Sequence, residues 1–105
     1  MGFDQYHEPA DELKESVRTF ARMITGLGEE AEAISWYEQR ISVEKDRTAK
    51  DIMQDAQKEE FKHFCMDLEF LFRHKKDWKT LAQNILFKTG DIVKNAEAAE
   101  KKVGG

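Results

Sequence analysis

Lys58-Glu59-Glu60-Phe61-Lys62-His63 carries a Glu-x-x-His pair, Glu60 and His63. Read as helix, the stretch sets these two side chains one turn apart on one face, where a carboxylate and an imidazole can grip one metal ion. The flanking residues support helix. Ile52, Met53, Ala56, Glu60, His63, Phe64, Asp67 and Leu71 recur at three-four spacing, so the candidate ligands are set into an apolar stripe. From Phe61 onward the helix is apolar almost all round, through Phe64, Cys65, Met66, Leu68, Phe70, Leu71 and Phe72. One partner in a hairpin cannot cover that many faces, so the pattern predicts oligomerisation. The helix is expected to run from an N-cap at Asp46 to about His74.

Upstream, a short connection over residues 42–45 separates this helix from another long one. Two long helices joined by a short loop predict an antiparallel hairpin. The first helix is expected to start at Pro9, whose missing N–H is no loss in a first turn, and to run to about Ile41. Its apolar positions, Leu13, Val17, Phe20, Ile24, Leu27, Ala31, Ile34 and Ile41, follow three-four spacing, with Glu38 breaking the set. Gly26 and Gly28 weaken its middle by about 1 kcal/mol each relative to Ala. They leave open a close helix approach, a kink or no role.

The same helix bears Glu29-Glu30-Ala31-Glu32. Glu30 follows Leu27 by three and precedes Ile34 by four, so it borders the apolar seam, and Tyr37 lies two turns further along its stripe. Glu29 and Glu32 are one turn apart and look outward, with Trp36 one turn further on.

Downstream, Lys75-Lys76-Asp77 reads as a turn. A short third helix is expected from Asp77 or Thr80 through about Lys88, ended by Gly90. Residues 94–105, rich in Ala, Glu and Lys and closing on Val103-Gly104-Gly105, read as frayed helix or disorder. Residues 1–8 read as a polar arm. The 105 residues form one domain in this reading.

Composition narrows the function classes. A net charge of −4 argues against nucleic acid and anionic membranes as partners. The lone cysteine, Cys65, rules out an intrachain disulfide framework. It lies about 200° around the helix from His63 and is expected to be structural. No stretch approaches the ~20 apolar residues of a membrane span. The first residues show no signal-peptide pattern, and Tyr6 stands where a myristoylated Gly2 would want Ser or Thr. The reading is a soluble, cytoplasmic protein.

Taken alone, Glu60 and His63 read equally as a solvated Glu beside a core-edge His. Glu30 alone reads as a seam-flanking glutamate paired with a cation across the hairpin. The apolar setting shifts the balance, because an unpaired carboxylate there costs several kcal/mol. Di-iron sites in helix bundles take one Glu from each of two helices and one Glu-x-x-His from each of two others. This chain offers one of each, and a second copy about a twofold axis completes the set. Tyr37 and Trp36 read more readily as packing residues than as redox groups. His7 and His74 are peripheral.

The run Glu29-Glu30-Ala31-Glu32-Ala33-Ile34-Ser35-Trp36-Tyr37-Glu38-Gln39-Arg40 resembles the signature of encapsulated ferritins. So does Glu59-Glu60-Phe61-Lys62-His63 followed by Met66-Asp67-Leu68-Glu69-Phe70-Leu71, and so do His7-Glu8-Pro9 and Leu86-Phe87-Lys88-Thr89-Gly90-Asp91-Ile92. The resemblance covers about residues 7–92, with the spacing between the acidic runs intact.

That resemblance implies an all-α, ferritin-like antiparallel two-helix hairpin with a short C-terminal helix. Two copies would make a four-helix bundle, and dimers a decameric ring. It implies a ferroxidase converting Fe(II) to Fe(III) with O2, two iron ions per subunit pair, inside an encapsulin nanocompartment of a prokaryote. The centre maps onto Glu30, Glu60 and His63 of both chains, with Tyr37 beside them. A secondary site maps onto Glu29 and Glu32 near Trp36 and would take Ca(II) or another divalent ion. Family members usually end in an apolar targeting peptide, and Val103-Gly104 is too short to be read as one. Two other readings stay open: a non-catalytic helical oligomerisation module, and a related di-metal bundle protein of rubrerythrin-like or manganese type.

Overall fold

The computed structural model of the chain describes residues 6–104. Helix is the only regular structure among them. A 3-10 turn, Ala10–Glu12, precedes four α-helices: α1 (Glu15–Val43), α2 (Arg47–His74), α3 (Lys76–Ile85) and α4 (Ile92–Lys102). The chain falls into two compact units, one ending at Leu71 and one beginning at Phe72.

In the first unit, α1 starts later than its sequence suggests. Pro9 opens the 3-10 turn instead of the long helix, and the backbone is extended at Leu13 (ψ 133) and Lys14 (ψ 150) before α1 begins. Neither Pro9 nor Lys14 supplies a side-chain cap. The turn is tied down from further along, by the Arg18 guanidinium donating to the Ala10 carbonyl. Most of the arm expected over residues 1–8, including Gly2, lies outside the described residues, and Tyr6, His7 and Glu8 adopt no helix.

Residues 44–46 connect α1 to α2. Asp46 caps α2 as its sequence position predicts, Oδ1 accepting from the Ala49 N–H at 2.9 Å. Glu44 in turn accepts from the Asp46 N–H at 3.0 Å. The cross-helix contacts run antiparallel. Gln57 reaches Ile34 and Glu38, Glu60 and His63 meet Glu30, and Asp67 lies against Gly26. Positions rise along α2 as they fall along α1, as in a hairpin.

Glu38, which interrupts the apolar spacing of α1, has a partner. Gln57 is 91% buried, and its Nε2 donates to Glu38 Oε1 at 2.9 Å and to the Ile34 carbonyl at 3.2 Å. This amide clasp fixes the register of the hairpin, because a one-turn slip would leave a buried polar group without partners.

Little apolar surface is buried within the chain. Leu71 and Ala99 are the buried hydrophobic residues among those described, whereas Ile52 is 65% and Met66 56% exposed. Phe61 and Trp36 are also exposed. Among the described residues, Ile52, Phe61 and Met66 of α2 thus keep much of their apolar surface uncovered. Cys65, expected to be structural, is exposed.

The second unit extends beyond the single short helix expected. α3 ends at Ile85, earlier than the expected Lys88, and Leu86 closes it with its N–H on the Ala82 carbonyl at 2.8 Å. Phe87 (φ 62) and Gly90 (φ 94) then turn the chain in the left-handed region that suits glycine and strains phenylalanine. Asp91 caps α4, Oδ1 accepting from the Lys94 N–H at 2.9 Å. Residues expected to be frayed or disordered thus form a capped helix whose Ala99 is buried. Lys102 Nζ donates to Asn84 Oδ1 at 3.0 Å and links the two helices. Phe72 and Trp78 pack edge to face at 5.1 Å.

Candidate metal centre

The hairpin brings Glu30 of α1 to Glu60 and His63 of α2. Each offers one ligand atom, and these atoms all lie within 4.8 Å of one another. Two ligands at about 2.1 Å from one ion can be at most ~4.2 Å apart, so closing this group on a metal takes small rotations. His63 Nδ1 and Glu60 Oε1 are 3.7 Å apart, too far for a hydrogen bond and close enough for one cation to bridge. Among the described residues this is the only group of three such side chains that could hold a metal ion.

The donors fit a hard or borderline divalent ion. Two carboxylates supply oxygen and one imidazole supplies nitrogen, the mixture suited to iron, manganese or zinc. Glu30 Oε1 is buried and accepts no hydrogen bond from an N–H or O–H group of the protein. A buried carboxylate oxygen without a donor is costly, and a bound cation relieves it. Three protein ligands do not fill a coordination shell.

The electrostatics of Glu30 point the same way. Its pKa is pushed from 4.5 up to about 7, first by desolvation, then by a hydrogen bond with the Asp67 side chain and that residue's charge, then by the charges of Glu60 and Glu29. A carboxyl with a pKa of about 7 holds a proton part of the time at neutral pH, so without metal a proton partly takes the cation's place.

Asp67, a member of the apolar-spaced stripe of α2, is a further carboxylate at this group beyond the residues expected from sequence. Its signal was spacing: it follows Glu60 by seven and His63 by four, so all three fall on one face. Gly26 is its counterpart on α1, one turn before Glu30. A Cβ at Gly26 would lie 3.3 Å from Asp67 Oδ2. Of the roles left open for the two glycines, a close approach therefore holds at Gly26, and α1 runs unbroken through Gly28.

The other sequence candidates sit around this group. Tyr37 is half-buried two turns along α1 from Glu30, with the Arg40 guanidinium 5.5 Å over its ring. Glu29, Glu32 and Trp36 are exposed, and among the described residues the two carboxylates meet no third ligand.

Comparisons with known proteins agree with one another. A family model described as EncFtn-like matches residues 5–89. A ferritin-like protein of Thermotoga maritima is 39% identical over 102 residues, covering 97% of this chain and 87% of the relative. An encapsulated ferritin-like protein of Rhodospirillum rubrum is 35% identical over 101 residues, covering 94% and 72%. A crystal structure of a protein from Nitrosomonas europaea superposes with a TM-score of 0.81 at 35% identity, covering 85% of this chain and 98% of that one.

Proposed function

Because the chain belongs to the EncFtn-like family, we propose that it is a ferroxidase, whose iron is the substrate of a centre shared between two copies. The observation that carries this reading is the convergence of Glu30, Glu60 and His63. One chain supplies half of the ligand set of a helix-bundle di-iron site, and twofold symmetry supplies the rest. The uncovered apolar surface around Ile52, Phe61 and Met66 gives two chains a reason to associate.

In this reading Glu30, Glu60 and His63 of both copies bind two Fe(II) ions. Oxygen-rich ligation favours Fe(III) over Fe(II), so the carboxylates help each ion give up an electron. O2 takes one electron from each ion and two protons from solvent and leaves as hydrogen peroxide. Tyr37 stands beside the centre. Glu29 and Glu32, near Trp36, form an outer site that collects Fe(II) or another divalent ion such as Ca(II). Dimers assemble further into a decameric ring, and the oxidised iron passes to an encapsulin shell, the partner suggested by the name of the Rhodospirillum relative.

Fe(II) added in air to size-fractionated protein tests this. Assembled fractions are expected to consume O2 and develop Fe(III) absorbance, and dissociated chains not to. Glu30→Ala, Glu60→Ala and His63→Ala should each abolish rapid oxidation. Full activity in all three assembled variants would overturn the assignment.

A further inference from the structure

The geometry points to Gly26 and Asp67 as a positioning pair that sets the Glu30 carboxylate for metal binding, an inference that rests on the site proposed above. Three observations converge on it. Asp67 shares the face of α2 that carries Glu60 and His63, one turn beyond His63. It faces Glu30 closely enough to help raise that carboxyl's pKa. It reaches across to α1 where α1 has no side chain, its Oδ2 lying 3.3 Å from the point a Cβ of Gly26 would occupy.

Each member of the pair does one thing. Gly26 removes the atom that would push Asp67 away from α1. Asp67, seated there, stands beside the Glu30 carboxyl and limits the positions it can take. Glu30 needs such a hold because its Oε1 has no backbone or amide donor. A ligating carboxylate fixed by an outer partner loses less freedom on binding metal, and removal of such partners commonly weakens metal affinity about 10- to 100-fold. The glycine is a cost to α1 as a helix, and the seat it makes for Asp67 accounts for its place there.

The test titrates anaerobic full-length protein with Co(II), read by its visible d–d absorption, with no turnover involved. Asp67→Ala should weaken Co(II) binding about 10-fold or more and alter the band shape. Asp67→Asn, whose amide can still donate to Glu30, should restore most of both. Gly26→Ala, which leaves every ligand in place, should reproduce the Asp67→Ala spectrum by displacing the Asp67 carboxylate. In an Asp67→Ala background, Gly26→Ala should add nothing.

Wild-type affinity and spectrum in both single variants would overturn the inference while leaving the metal site standing. So would an effect of Gly26→Ala that persists without Asp67. Co(II) binding indifferent to Glu30→Ala would overturn the site itself.

Discussion

Glu30 on α1 and Asp67 on α2 are neighbouring carboxyl groups across the hairpin, and burial, reinforced by Asp67, pushes the pKa of Glu30 up to about 7. Two acids in contact at a helix–helix seam make a poor structural element. They destabilise the apo protein as pH rises and are well placed once a cation arrives.

The sign of the pH dependence follows. The folded pKa of Glu30 is raised from 4.5 to about 7, so between those values the folded chain binds more protons than the unfolded one. The stability tied to the protonated group is fully present below 4.5 and is lost as pH climbs through about 7. Urea unfolding of metal-free protein at a series of pH values should show this decline, and Glu30→Gln should flatten it. Because metal must displace the proton, divalent-ion affinity should strengthen up to about pH 7 and level off above it.

Glu30→Gln should separate stability from activity. The amide removes a buried charge and brings its own donors, so the metal-free variant should be more stable at pH 8 by on the order of 1 kcal/mol. Iron oxidation should be lost. Thermal unfolding and O2 consumption on the same preparation check both.

Gln57 should be the most sensitive polar position of the hairpin away from the metal ligands. Gln57→Ala removes the hydrogen bonds to the Glu38 carboxylate and the Ile34 carbonyl and leaves a gap where a buried side chain was, and chemical denaturation should register a loss of about 1–3 kcal/mol. Gln57→Glu should be worse, since its carboxylate would face Glu38 at what is now a 2.9 Å contact.

Met66→Glu and Ile52→Glu address assembly. Both side chains are mostly exposed in the single chain, so neither change should unfold it. If these residues are covered by a second copy, each buried charge should weaken association at least tenfold, about 1.4 kcal/mol. Sedimentation should show dissociated chains, and iron oxidation should fall with them.

The order of helices was legible in the residues because apolar spacing and capping chemistry are local. Asp46 reads as an N-cap and is one. The three candidate ligands were legible because helical periodicity alone puts Glu60 and His63 on one face and Glu30 at a seam. Where local signals end, contacts between distant residues decide the structure. Pro9 is a good first-turn residue, but Arg18, two helical turns into the sequence beyond it, captures the Ala10 carbonyl and leaves a separate 3-10 turn. Helix α4 is Ala- and Glu-rich with a weak apolar pattern, and its order comes from the Asp91 cap and from α3, which no residue of α4 announces.

By itself the sequence determined that this chain is a helical hairpin carrying a Glu-x-x-His pair and a seam-facing Glu, because a 3.6-residue repeat translates spacing directly into faces. Only the tertiary structure decided which residues of α1 stand opposite which of α2. That register depends on contacts between positions tens of residues apart, the Gln57 clasp among them. It is what turned Gly26 from a weak point in a helix into a seat for Asp67, and Asp67 from one more polar residue in a stripe into the group that meets Glu30.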